Sequence, residues 1–259
     1  MSGFSFATAI ISVLVFIAAL GCFEIGRRFG VRSLRHDPEG GGEGLGAIEA
    51  ALLGLLGLLL AFTFSGAAGR FDTRRELIVQ EANAVDTAFM RVDLLPSDAH
   101  AVLREKFREY LDARIDVYRR LADREDTAPV EEQSRQIQRE IWSIAVSASE
   151  RSPTTTAGMQ IVPALNEMIN IETSRTMTRQ MHPPQIIFFM LGALILVSAT
   201  ISGFGTAKAK KRSWLHLILF AFVFALTLFV ILDIEYPRLG IIRVDSFDQA
   251  LVNLRNSMN

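Results

Sequence analysis

A single cysteine, Cys22, excludes an internal disulfide and any cysteine-based zinc site. The four histidines, His36, His100, His182 and His216, are scattered without metal-ligand spacing. No glycine-rich phosphate loop occurs, and the glycines at 40–42 and 44 alternate with acids that would repel phosphate. No nucleophile motif is present. Catalysis therefore finds little support, no cofactor is implied, and the chain reads as a non-enzyme. A net charge of −1 offers no basic footprint for nucleic acid. Two Trp and three Tyr against eighteen Phe leave few polar aromatics and many of the kind that faces lipid.

What is present is segregated. Half the residues are hydrophobic and the mean hydropathy is +0.28, yet 21% are charged. Of 55 charges, 35 lie between Arg70 and His182. Outside that stretch four uncharged segments are each long enough to cross a bilayer of about 30 Å, which takes roughly 20 helical residues: 4–23, 50–69, 185–207 and 213–232. Pro183 and Pro184 suit a helix start before the third, and Trp214 suits the interface at the fourth. The first segment is not read as a signal peptide, because Arg27 and Arg28 follow it and no basic residue precedes it.

The chain divides into a transmembrane hairpin (1–69), a helical extramembrane domain (70–182), a second hairpin (183–232) and a C-terminal tail with a short helix (233–259). In the polar region Leu103, Phe107, Leu111, Ile115, Tyr118 and Leu121 recur at helical spacing. So do Ile137, Ile141, Ile144 and Ala148, and again Ile161, Leu165, Met168 and Ile169, while Pro- and Ser-rich stretches read as turns. Aromatics such as Trp142 read as core. Span two runs into this region with no Pro and only Gly66 and Gly69 as weak points, so the spacing predicts one helix to about Leu94, unless it kinks at those glycines.

Span two carries small residues four apart: Gly46, Ala50 and Gly54, then Gly57, Ala61, Ser65 and Gly69. Such a stripe lets helices approach closely in lipid, either another subunit or the chain's own spans. Thr63 and Ser65 add hydroxyls beside Phe62 and Phe64. Glu24, Glu49 and Asp233 lie at span edges. Asp233 and Glu235 leave span four together, where they either hold a divalent cation or act as boundary acids and partners for Arg238 or Arg243. Four spans put both termini and the polar region on one side. The short loops carry Arg27, Arg28, Arg32 and Arg35, then Lys208, Lys210, Lys211 and Arg212, against seven arginines near span ends on the other side. The positive-inside rule then places the short loops in the cytoplasm.

The stretch 59–96, LLAFTFSGAAGRFDTRRELIVQEANAVDTAFMRVDLLP, with VILDIEYPRLGIIRV after span four and GRRFG after span one, resembles the uncharacterised bestrophin-like domain proteins of bacteria. That resemblance implies an all-α, four-span protein of the inner membrane, distantly similar to bestrophins, which are pentameric anion channels. It implies partners in the bilayer, in further copies of the chain and in inorganic anions. Carried over, it makes span two the pore lining, with Phe62, Phe64 and Leu59 or Leu60 as candidates for an apolar neck, and helical spacing extends the Phe62 face to Leu58 and Leu55. The spacing of small residues makes Gly54, Gly57, Ala61 and Ser65 the helix-packing positions, and the resemblance puts Asp233 and Glu235 where bestrophins hold calcium. The alternative is a membrane-anchored sensor or scaffold whose helical domain binds a ligand or partner protein. Bestrophins keep their helical region in the cytosol, opposite to the charge count.

Overall fold

A computed structural model of the chain describes residues 3–36, 45–123, 125–153, 155–209, 214–238 and 240–258, without the side chains of 3–6, 45, 216 and 245. The connector at 39–44, the charges Lys210, Lys211 and Arg212 and the ring of His216 lie outside the described residues. Every regular element among those described is helical. Helices α1 (Gly3–His36) and α2 (Leu45–Met90) come first, and α2 tightens into a 3-10 turn over Arg91–Leu94. Then follow α3 (Ser97–Asp123), α4 (Ala128–Glu150), α5 (Thr156–Gln180), α6 (Gln185–Gly205), α7 (Trp214–Glu235) and α8 (Asp245–Ser257). Four of them, α1, α2, α6 and α7, contain stretches long and apolar enough to cross a membrane.

The predicted periodicities become α3, α4 and α5. The continuous helix expected through Gly66 and Gly69 is α2, which is unbroken from Leu45 to Met90. One expectation is corrected. Arg27, Arg28, Arg32 and Arg35 are not in a loop, because α1 carries on to His36. Arg28 Nε donates to Glu24 Oε1 at 3.0 Å, a pair one turn apart that supports the charged end. Gly30 also packs against α6 at Phe204, so the helix continues where hydropathy alone would end it.

The chain forms two compact units, one of Met1–Gly69 and His182–Ile242, the other of Arg70–Met181 and Arg243–Asn259. In the first, α1 packs along α6 and α7. A Cβ on Gly26 would overlap the backbone oxygen of Thr200, and one on Gly203 would overlap that of Phe23. The two helices therefore touch backbone to backbone at reciprocal glycines. Without a hydrophobic drive between helices in lipid, such packing is what holds them.

In the second unit α3, α4, α5, α8 and the last turns of α2 enclose one apolar core. Phe107, Leu111, Ile141, Ile161, Leu165 and Met168 are fully buried in it, each contributing about 1.5–3 kcal/mol of transfer free energy. Phe89 meets Phe107 edge to face at 5.8 Å, and Trp142 packs on the same cluster. The short α8 is seated by buried Leu251 and Met258, and by Arg255, which reaches both oxygens of Asp112 at 2.9 and 3.1 Å.

Candidate functional site

The membrane part of α2 has two unlike faces. Leu56, Leu60 and Ala67 are buried, and with half-buried Thr63 they step by four, three and four residues, one helix face against the rest of the chain. On the opposite side Leu55, Leu58, Phe62 and Ser65 step by three, four and three, and all are exposed. Of the four spans, α2 has the smallest buried share.

The predicted packing stripe also lies on exposed surface. Gly54, Gly57, Ala61 and Ser65 are all exposed, and among the described residues nothing approaches within 4 Å of a Cβ built on Gly54 or Gly57. The alternative that this stripe packs against the chain's own spans is therefore corrected. The close approach inside the subunit is made by α1 and α6 instead. Phe62 is 67% exposed and Phe64 42%. They stand about 200° apart around the helix. Phe62 shares its face with Leu58 and Leu55, whereas Phe64 sits nearer the buried side. Thr63 turns its hydroxyl back to the Leu59 carbonyl at 2.7 Å, so its proton is already donated within the helix.

At the start of α2, Ser202 Oγ donates to Glu49 Oε1. Glu49 is thus half-buried with a hydroxyl partner on α6 rather than solvated. At the exit of α7, Asp233 and Glu235 are both buried, and each has its own role. Asp233 accepts the backbone N–H of Ile241 at 2.9 and 3.0 Å and that of Ile242 at 2.8 Å. A side chain at position 240 would collide with the Asp233 carboxylate, which is why glycine stands there. Asp233 thus anchors the returning loop with both oxygens facing N–H donors, the surroundings of an anion rather than of a cation's ligand. Glu235 Oε1 lies 3.0 Å from His182 Nδ1, and the His182 ring stacks on Tyr236 with centroids 4.6 Å apart. Among the described residues no group of three or more His, Cys, Asp or Glu is placed to hold a metal ion.

The second unit holds a polar node that sequence reasoning missed. Arg114 Nε donates to Glu81 Oε1 at 2.6 Å and Nη1 to Glu172 Oε1 at 3.1 Å, and Nη2 reaches the Tyr118 hydroxyl. Arg175 Nη1 donates to Glu81 Oε2 and Nη2 to Asp248 Oδ1, the latter at 3.1 Å. Its guanidinium lies over the Tyr118 ring, 3.7 Å from the centroid. Gln138 Nε2 donates to Glu172 Oε2 at 3.1 Å. One network thus joins α2, α3, α4, α5 and α8. Burial alone would raise the pKa of Glu81, but Arg114 and then Arg175 outweigh it and hold the carboxyl down at about 2 against an ordinary 4.5. The same burial works against the charge on Arg114, and Glu81 more than restores it, so its pKa ends well above the ordinary value. The signal in the sequence was polar residues at core register. Arg114 continues the spacing of Phe107 and Leu111, and Glu172 and Arg175 continue that of Leu165 and Met168.

With this geometry in hand, comparison with known proteins is specific. The family model described as the Bestrophin-like domain matches residues 13–247. No curated protein matches. Among solved structures, two variant forms of a bacterial Bestrophin homolog from Klebsiella pneumoniae superpose with TM-scores of 0.69 and 0.68, each at 13% identity over 98% of both chains. A further structure of that homolog gives 0.66 at 13% identity over 97% of this chain and 98% of the other. At such identity the likeness is one of fold.

Proposed function

The chain belongs to the bestrophin-like family, and from that premise we propose that it is one subunit of an oligomeric channel in a bacterial inner membrane. Copies of α2 line the ion path, and the second unit stands outside the bilayer as a helical domain. The number of copies is five by analogy with bestrophins, and the conducted ions are inorganic anions by the same analogy.

The observation that carries this reading is the outward face of α2. A hydrophobic span that leaves Gly54, Gly57 and Ala61 uncovered beside a ridge of Leu55, Leu58 and Phe62 has surface for both neighbours and a lumen. The small residues admit the adjacent subunit. The ridge supplies an apolar constriction that closes by dewetting. Its alternating steps of three and four residues average 3.5, the spacing that keeps one seam facing a common axis in a left-handed bundle. Phe62 is the gate candidate, because it lies on that ridge and Phe64 does not.

The test is anion flux into liposomes from a verified reconstituted oligomer, with Phe62→Ala and Phe64→Ala made separately. Phe62→Ala raises basal flux several-fold, and Phe64→Ala leaves it near wild type. No flux from the wild type or either variant would remove the pore and leave the scaffold reading.

A further inference from the structure

Two hydroxyls on helices of the polar node are fully buried and have no hydrogen-bond partner among the described residues: Tyr110 Oη and Ser134 Oγ. Both lie on faces that build the node. Tyr110 is one turn before Arg114 on α3, and Ser134 is one turn before Gln138 on α4. Arg114 and Gln138 meet on the same carboxylate, Glu172, one on each oxygen. The two helices are also joined at the neighbouring level, where Lys106 Nζ reaches Glu140 Oε2 at 2.9 Å.

A buried hydroxyl left without a partner is costly, and native interiors seldom keep one. Burial pushes the Tyr110 phenol well above its ordinary pKa, so it keeps a proton to donate. Each Glu172 oxygen accepts only one of the bonds above, and a carboxylate has about four acceptor sites, so lone pairs remain there. We propose that an internal water molecule binds between α3 and α4, held by Tyr110, Ser134 and Glu172, and completes the node. The charge count decides against an anion in that place. Glu81, Glu172 and Asp248 bring three negative charges to two guanidiniums, so a neutral ligand that both donates and accepts is the one that fits.

This inference concerns the interior of the second unit and holds or fails independently of ion conduction. Its test uses the full-length protein in detergent with Tyr110→Phe and Ser134→Ala. Each removes one hydroxyl and almost no volume. If the hydroxyls are bridged by water, each variant lowers the thermal unfolding midpoint by a few degrees. The double variant then loses less than the sum, because both act on one ligand. If the hydroxyls have no partner, removing them leaves the midpoint unchanged or raises it, and that result overturns the proposal. A high-resolution map supplies the second readout. It should show a solvent peak within hydrogen-bond distance of Tyr110 Oη that disappears in Tyr110→Phe. A wild-type map without that peak overturns the proposal even where the midpoints fall.

Discussion

Glu81 shows how much one buried charge can decide. It is fully buried on α2 and is held ionised by two guanidiniums from α3 and α5. Its folded pKa is lowered to about 2, while the unfolded chain titrates near the ordinary 4.5. Between those values the unfolded state binds more protons than the folded one. The stabilisation is therefore complete above about pH 4.5 and is lost as pH falls toward about 2. Glu81→Gln leaves Arg114 and Arg175 without their shared carboxylate. It should cost on the order of 3–5 kcal/mol at neutral pH, the range for breaking one side of a buried pair. It should also flatten the acid limb of stability that the wild type shows. Unfolding midpoints of both proteins, followed from neutral pH into that window, check the slope, and an equally steep limb in the variant would assign acid sensitivity to other groups. Little of this was legible beforehand. Periodicity reads Phe107, Leu111 and Tyr118 as one buried face, and Arg114 falls on it, but nothing in one sequence says which distant residues will face it. Glu81 and Asp248 are 33 residues before it and 134 residues after it in the chain, and only the fold joins them.

Helices α1 and α2 both carry small residues at close spacing, and the structure uses them oppositely. On α1, Gly26 and Gly30 face α6, where a Cβ would meet backbone atoms of Thr200 and Phe204. On α2, the surroundings of Gly54 and Gly57 are open. Gly26→Leu should therefore prevent the subunit from folding, seen as loss of monodisperse protein in detergent, because backbone cannot move aside as a flexible side chain can. Gly57→Leu should leave the subunit folded and shift the oligomer toward smaller species by size-exclusion chromatography with light scattering. A folded, unshifted oligomer for Gly57→Leu would mean that this face meets lipid. The helices themselves were legible, since an uncharged run of about twenty residues and a 3.6-residue period are local properties. Which face of a glycine-bearing helix meets a partner was not. The period marks a stripe but cannot say what lies across from it, so it singles out the stripe on α2 and leaves GRRFG on α1 only a family marker. The end of α1 departs from its hydropathy for a related reason. Hydropathy marks where lipid stops, not where the helix stops, and Glu24, Arg28 and the glycine contacts carry α1 on to His36.

For the molecule as a whole, the proposed four-span arrangement leaves one choice, the side of the membrane that takes the polar region, and charge during insertion is expected to make it. Eight basic residues, Arg27, Arg28, Arg32, Arg35, Lys208, Lys210, Lys211 and Arg212, lie in the short connections and the helix ends beside them. In the proposed four-span arrangement seven arginines near span ends fall on the opposite side: Arg70, Arg74, Arg75, Arg175, Arg179, Arg238 and Arg243. The totals nearly cancel, so the first span weighs most, and Arg27, Arg28, Arg32 and Arg35 follow it. Lys208 to Arg212 is also a dense cluster in a short connection, the arrangement for which the charge bias holds most strongly. Reporter fusions at 205–212 should therefore read as cytoplasmic. A second fusion in the turn between α3 and α4, near Glu125, should read as periplasmic, because an even number of spans separates that turn from the N-terminus and an odd number separates it from the short connections. The two reporters must disagree for the four-span topology to stand, whichever side each is on. A periplasmic signal at 205–212 with a cytoplasmic one near Glu125 would reverse the orientation. It would give the bestrophin arrangement and show that the near-even charge count is outweighed by how the long polar segment handles translocation. Matching signals from both sites would instead remove one of the four spans from the membrane, and with it the arrangement in which α2 faces a common axis.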